Sequence, residues 1–317
     1  MKTDLFQEAV LMVKNNFHAF FLTIILVFLT GVAAQGRDVN GDYAGLERCT
    51  ECHEEQYKTY RESYHGIKGD PRTPAADRAC ESCHGPGAGH AEEEDIEKIL
   101  LLGPKSPTPA EEINATCLEC HTKSKQSLWH GSTHEERDVS CTNCHSIHGG
   151  HTKNLAKRTQ IGVCNQCHQD VKAELMRQSH HPIREGKIKC MDCHNPHGSI
   201  ADKLIDAQYV NLKCFECHAE TRGPFLWEHP PVVEDCITCH TPHGSSRSPL
   251  LRAKTPYLCQ RCHANVAHPS TLYARRSNQA GQSVYVALNN RAFYRSCLNC
   301  HGSIHGSNHP SGKSLLR

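Results

Sequence analysis

Hydrophobic positions are concentrated at the start of the chain. Residues 17–29 form an apolar run broken only by His18 and Thr23, with Lys2 and Lys14 before it and Val32-Ala33-Ala34 after it. A basic start, an apolar middle and small residues at the end predict an export signal over residues 1–34, cleaved after Ala34. An uncleaved anchor is the alternative, because the run extended to Ala34 falls only slightly short of a membrane span. Beyond residue 34 the apolar runs are short, and no later segment is predicted to cross a membrane. Residues 54–64 and 170–179 lack glycine and proline and predict short helices. Frequent His-Gly and Pro-His-Gly steps predict turns. The pattern predicts a mostly irregular, elongated chain with short α-helices and little or no β-sheet.

Cysteine spacing supplies what the hydropathy pattern lacks. All 20 cysteines fall in ten Cys-x-x-Cys-His motifs. Motifs 1 to 5 hold Cys49, Cys52 and His53; Cys80, Cys83 and His84; Cys117, Cys120 and His121; Cys141, Cys144 and His145; Cys164, Cys167 and His168. Motifs 6 to 10 hold Cys190, Cys193 and His194; Cys214, Cys217 and His218; Cys236, Cys239 and His240; Cys259, Cys262 and His263; Cys297, Cys300 and His301. Zinc ribbons and redox disulfides share the cysteine spacing. They do not require the histidine, and with 25 histidines in 317 residues its tenfold recurrence has a chance of order 1 in 10¹¹. This is the attachment signature of c-type haem, in which two thiols bond the porphyrin and the adjacent imidazole binds iron. The expected cofactors are therefore ten covalent c-type haems with their iron.

A second set of histidines alternates with the motif number. After odd motifs a polar stretch ends in His65, His134, His181, His229 or His268, and after even motifs His90, His148, His197, His243 or His305 follows closely. These ten are the candidate distal ligands, one for each iron. They imply five two-haem units starting near residues 49, 117, 164, 214 and 259, with insertions at 95–115 and 269–296. Residues 35–168 would carry haems 1–5 and residues 169–317 haems 6–10 in one continuous haem chain. His130, His151, His180 and His309 are left over, with His180 and His309 as alternatives to His181 and His305. Methionine ligation is nearly excluded, since the mature chain has only Met176 and Met191, the latter inside a motif.

Composition fits this reading. Aromatic residues make up 6% of the chain and mean hydropathy is −0.57, so side chains alone would bury a poor core. Roughly one haem per 28 mature residues would make the porphyrins the interior and link folding to cofactor binding. Formal charge is +1, but roughly twenty propionates would make the holoprotein acidic, and no feature favours nucleic acid. The acidic run at 92–95 reads as a solvated helix face. No convincing nucleophile with a base, phosphate loop or dinucleotide fingerprint occurs. Six-coordinate irons would leave no open site for substrate, so the chain is expected to be an electron carrier with no catalytic residues.

The chain resembles the periplasmic decahaem cytochromes of the MtrA, DmsE and PioA type. The likeness covers nearly all of the mature chain and is strongest in residues 190–199, Arg222-Gly223-Pro224 with Leu226-Trp227-Glu228-His229, residues 239–245, and residues 296–301 leading to His305-Gly306-Ser307-Asn308-His309-Pro310. The resemblance implies a periplasmic, outer-membrane-associated protein seated partly inside a β-barrel porin and passing electrons between periplasm and cell exterior. It implies a periplasmic cytochrome as donor or acceptor, and an extracellular multihaem cytochrome or terminal reductase as a further partner. A soluble periplasmic shuttle or electron store is the alternative function, and a multihaem reductase a more distant one.

Intact-mass measurement under denaturing conditions should give a chain beginning at Gln35 with the added mass of ten porphyrins and no free thiol. Fewer haems, or bound zinc, would contradict the assignment of the motifs.

Overall fold

The haem-attachment motif is itself the commonest structural unit of the molecule. In nine motifs the histidine N–H donates to the first cysteine's carbonyl at 2.9 to 3.1 Å, as in His194 N to Cys190 O at 3.0 Å. This bond spans four residues, the closure of one α-helical turn. It brings both cysteines and the histidine round a single turn. The computed structural model describes residues 41–148, 159–263 and 296–316, together with the backbone of two strands, Tyr273–Ser277 and Ser283–Ala287.

Odd and even motifs are built differently. Odd motifs sit at the ends of short helices: α1 Leu46–Cys52, α5 Ala110–Leu118, α6 Gln160–Cys164, α8 Val210–Phe215 and α10 Tyr257–Gln260. Even motifs 4, 6, 8 and 10 open as 3₁₀ turns at Cys141–Asn143, Cys190–Asp192, Cys236–Thr238 and Cys297–Asn299. The remaining helices are α2 Glu54–Arg61, α3 Glu81–His84, α4 Ala88–Glu93, α7 Gln169–Leu175 and α9 Pro230–Glu234. The helices expected over 54–64 and 170–179 form as α2 and α7 but stop earlier. Ser63 ends the first by turning its hydroxyl onto the Tyr60 carbonyl (2.6 Å), while the Tyr60 hydroxyl reaches the His65 carbonyl (2.9 Å). Sheet is confined, among the described residues, to an antiparallel ribbon with Tyr273 opposite Ala287 and Ser277 opposite Ser283. It lies in the insertion between motifs 9 and 10.

The chain divides into two units. One comprises the described residues of Met1–Cys52 with Arg78–Leu101, the other those of His53–Asp77 with Leu102–Arg317. In the first, the buried Glu81 carboxylate accepts the N–H groups of Ala44, Gly45 and Gly87 at 2.8 to 3.0 Å. In the second, a polar side chain ahead of an odd motif holds the turn of the following even motif. Asn114 accepts the Cys141 N–H (2.8 Å) and donates to the Val139 carbonyl (3.1 Å). Asn211 accepts the Cys236 N–H (2.8 Å) and donates to the Val232 and Val233 carbonyls. Gln160 accepts the Met191 N–H at 3.1 Å. All three are at most 4% exposed. Buried hydrophobic residues among those described number only six, Tyr60, Ala79, Leu100, Ile113, Trp129 and Leu175. Polar clasps therefore replace an apolar core as the direct side-chain connection within each motif pair.

The predicted His-Gly turns are present and serve a packing purpose. Gly198 (φ +132°) and Gly306 (φ +142°) have backbones that favour glycine. A methyl group at Gly198 would lie 1.9 Å from the Leu128 carbonyl oxygen, one at Gly244 2.0 Å from that of Glu174, and one at Gly306 2.2 Å from the Phe225 ring. Each glycine follows a distal histidine of an even motif. Each lets that loop press onto the segment following an odd motif.

Asn211→Ala should lower stability by about 1–3 kcal/mol, because it strands the buried Cys236 N–H and the two carbonyls. The check is the guanidinium midpoint of the holoprotein, and an unchanged midpoint would show that the clasp does not hold the pair.

Candidate haem centres

Seven pairs of histidine rings face each other across nearly constant gaps. Ring centres are 5.9 Å apart for His65–His121, 6.2 Å for His134–His168, 6.1 Å for His145–His197 and 6.3 Å for His181–His218. They are 6.0 Å apart for His194–His243, 6.2 Å for His229–His263 and 6.2 Å for His240–His305. Two metal–imidazole bonds of about 2.0–2.1 Å, plus about 1.1 Å from each nitrogen to its ring centre, require roughly 6.2–6.4 Å. The gaps thus fit an iron between each pair. Every pair joins one motif histidine to one of the nominated distal histidines.

The pairing follows a rule. A distal histidine faces the motif two along, never its own. From odd motifs the reach is forward: His65 to motif 3, His134 to motif 5, His181 to motif 7 and His229 to motif 9. From even motifs it is backward: His197 to motif 4, His243 to motif 6 and His305 to motif 8. The ring pairs thereby join each expected two-haem unit to the next.

Hydrogen bonding sets the ring orientation. Nδ1 lies against a backbone carbonyl in His134 (Pro196, 2.7 Å), His181 (Pro242, 2.6 Å), His194 (Lys203, 2.9 Å) and His240 (Pro249, 3.0 Å). A carbonyl can only accept, so Nδ1 carries the proton and Nε2 presents a lone pair, the arrangement of a metal-bound imidazole. The same holds for His84 (Leu100, 2.7 Å), His90 (Asp95, 3.0 Å), His148 (Gln56, 3.3 Å) and His301 (Ser314, 2.7 Å). His53 precedes α2 and its carbonyl accepts the Tyr57 N–H at 3.0 Å. His268 and the unassigned His151 lie outside the described residues. Burial, the largest cause, lowers the pKa of His65, His145, His194, His197, His229, His240 and His305 and favours the neutral form that binds metal.

The histidines left over differ. His180 has Nδ1 against the Arg177 carbonyl (2.7 Å) and Nε2 against Glu185 (3.1 Å), so both ring nitrogens are engaged by protein. Nδ1 of His309 accepts the Ser311 N–H at 3.2 Å, which places the proton on Nε2. His130 is exposed beside Glu135. These geometries favour His181 over His180 and His305 over His309.

The thiols occupy the positions of the thioether sulfurs, and they connect consecutive motifs. Within each expected two-haem unit the first cysteines are near neighbours: Cys49 with Cys80, Cys117 with Cys141, Cys164 with Cys190, Cys214 with Cys236 and Cys259 with Cys297. Across successive units Cys144 is an electrostatic neighbour of Cys164 and Cys167, Cys193 of Cys214 and Cys217, and Cys239 of Cys259 and Cys262. No group of three or more metal-binding side chains occurs among the described residues.

Cys83, Cys120 and Cys300 are placed by their own turns. Their N–H groups donate to the carbonyls of Cys80, Cys117 and Cys297 at 3.2, 3.3 and 3.1 Å. The Cys120 and Cys300 residues are exposed and Cys83 is half-buried. The turn geometry keeps all three beside their motif histidines, where a thioether anchor is needed.

The Asn114, Gln160 and Asn211 clasps carry no haem chemistry of their own, and reading the motifs alone passes over them. Their signal is an amide side chain three or four residues ahead of motifs 3, 5 and 7.

Comparison with known proteins agrees with this geometry. The family model described as "Doubled CXXCH motif" matches residues 180–223 and 229–268, and "Cytochrome c-type protein NrfB-like" matches residues 80–167. The multiheme cytochrome MtrA of Shewanella baltica (strain OS185) is 42% identical over 281 residues, covering 87% of this chain and 83% of that protein. The cytochrome c-type protein NapC of Paracoccus pantotrophus is 30% identical over 163 residues, covering 49% of this chain and 62% of that protein. Motifs, fold and a likeness that spans most of both chains place the protein among the MtrA-type multihaem cytochromes c.

Proposed function

We propose that this electron-transfer protein binds ten bis-histidine c haems and carries electrons between the periplasm and the cell exterior, through an outer-membrane β-barrel. The observation that carries the reading is the set of seven facing histidine pairs, each with room for one iron, that runs without a gap from motif 3 to motif 9. Seven facing pairs account for fourteen ligands. The six others, His53, His84, His90, His148, His268 and His301, supply the irons of motifs 1, 2 and 10.

Bound haem iron supplies one-electron chemistry at low potential, because two imidazoles lack the thioether that raises the potential of Met/His centres. The residues supply the rest. The facing imidazoles would hold an iron from both sides and leave no place for a substrate, which favours a carrier over a reductase. Nδ1–carbonyl bonds hold eight of the rings, His84, His90, His134, His148, His181, His194, His240 and His301, in the ligating tautomer. The clasps keep the anchors of successive haems together.

The barrel follows from solvent physics and from the resemblance in the sequence. Propionates and irregular backbone cannot sit in hydrocarbon unless protein encloses them, and no helix among the described residues is long and apolar enough to cross a membrane. A conduit built from this chain therefore needs a porin around it, a periplasmic cytochrome at one end, and an extracellular multihaem cytochrome or terminal reductase at the other. In this orientation motif 10 lies toward the exterior. Periplasmic location follows from the export signal predicted over residues 1–34.

Liposomes containing the cytochrome with its candidate barrel should let an external oxidant drain an enclosed reductant, while liposomes with either component alone should not. Vesicles that stay redox-tight with both present would defeat the conduit and leave a soluble periplasmic shuttle.

A further inference from the structure

In the pair His194–His243 a carboxylate stands behind the distal ring, while in the pair His181–His218 one, Glu220, stands 3.5 Å from Nδ1 of the motif ring His218. Nδ1 of His243 lies 3.3 Å from Oε2 of Glu174, with both side chains about two-thirds buried, at 30% and 32% exposure. His134 and His181 direct Nδ1 to neutral carbonyls instead, and the buried Nδ1 of His197 has no hydrogen-bond partner among protein groups. The position of Glu174 is enforced from several sides. It sits on α7, whose Leu175 is 1% exposed. The Glu174 carbonyl packs against Gly244, where a methyl group would come within 2.0 Å. Arg177 donates to the Gly244 carbonyl at 3.2 Å, and the bridge from Ser179 to Ser245 ties the same two segments together at 2.7 and 3.0 Å.

We infer that Glu174 is a tuning residue for electron transfer. Its carboxylate, 3.3 Å behind the His243 ring, sets the haem of motif 6 at a lower potential than that of motif 4, whose distal ligand His197 has no such neighbour. The reasoning is electrostatic. A carboxylate behind a ligating imidazole draws the Nδ1 proton toward itself and makes the ring a stronger donor. A stronger donor and a nearby negative charge both favour ferric over ferrous iron. Arg177 Nη1 stands 3.9 Å from the other carboxylate oxygen, Oε1, and offsets part of this charge, which leaves Oε2 as the oxygen turned to the ring. The consequence is a built-in step near the middle of the series of haems, placed by one side chain on a helix belonging to motif 5.

The inference rests on the ligation proposed above, and its test separates the two. In the ten-haem protein, Glu174→Gln preserves size and a hydrogen-bond acceptor but removes the charge. Optical redox titration should show one tenth of the haem absorbance moving upward by about a tenfold change in the ferric/ferrous ratio, 59 mV for one electron. Glu174→Asp should restore part of the shift. Glu185→Gln removes the carboxylate beside His180, a histidine outside the facing pairs, and should leave every potential in place. An unmoved titration for Glu174→Gln, with His243→Ala producing one high-spin iron, would overturn the tuning role and leave the ligation intact. If His243→Ala produces no high-spin iron, His243 is not a ligand and both readings fall.

Discussion

Two imidazoles facing one another from distant parts of the chain, across a gap that fits one iron, are the constraint on which the proposed arrangement depends. The facing rings come from segments 34 to 65 residues apart, as in His134 with His168 and His240 with His305. In the proposed ligation each iron would act as a cross-link between neighbouring two-haem units. Odd motifs would receive their distal ligand from the preceding unit and even motifs from the following one. Such a chain cannot be cut between units without opening irons on both sides. The link from local turn to global fold runs through the cofactor, where an ordinary domain would use an apolar core.

That substitution explains the polar interior. A porphyrin buries far more apolar surface than any side chain, so the polypeptide's task is to aim ligands and fix sulfur anchors. Backbone geometry does most of it: a four-residue turn per motif, glycines where loops press together, and Nδ1–carbonyl bonds that choose the tautomer. Asn114, Gln160 and Asn211 complete it by satisfying N–H groups that open the even-motif turns. The buried amides of Asn114 and Asn211 are tolerable there because both ends are paired, and they contribute specificity at little cost. Electron transfer inherits its layout from these contacts, since the sulfur positions fix where successive porphyrins hang.

Much of this was legible in the sequence, for a chemical reason. Covalent haem attachment needs two thiols and a histidine at invariant spacing, so the centres are written locally. Short helices after odd motifs, glycine turns after even ones and scant sheet were readable from the same local rules. The partner of each distal histidine was not. His229 lies closer in sequence to motif 7 than to motif 9, yet it faces His263, because the direction in which a loop leaves its turn is set by packing. His180 and His181 are equivalent as neighbours in sequence, and only the carbonyl and carboxylate engaging both nitrogens of His180 separate them. The Asn211 clasp was equally hidden, since a single asparagine ahead of a motif carries no signature until its donor 25 residues away is seen.

The interleaving is the central claim, and one substitution with two controls tests it. Electron paramagnetic resonance of ferric His229→Ala should show one high-spin iron. That signal should vanish when the motif 9 haem is removed by Cys259→Ala with Cys262→Ala. It should persist when the motif 7 haem is removed by Cys214→Ala with Cys217→Ala. The reverse dependence, with the signal following motif 7, would mean that each distal histidine serves its own motif and would contradict the interleaved arrangement.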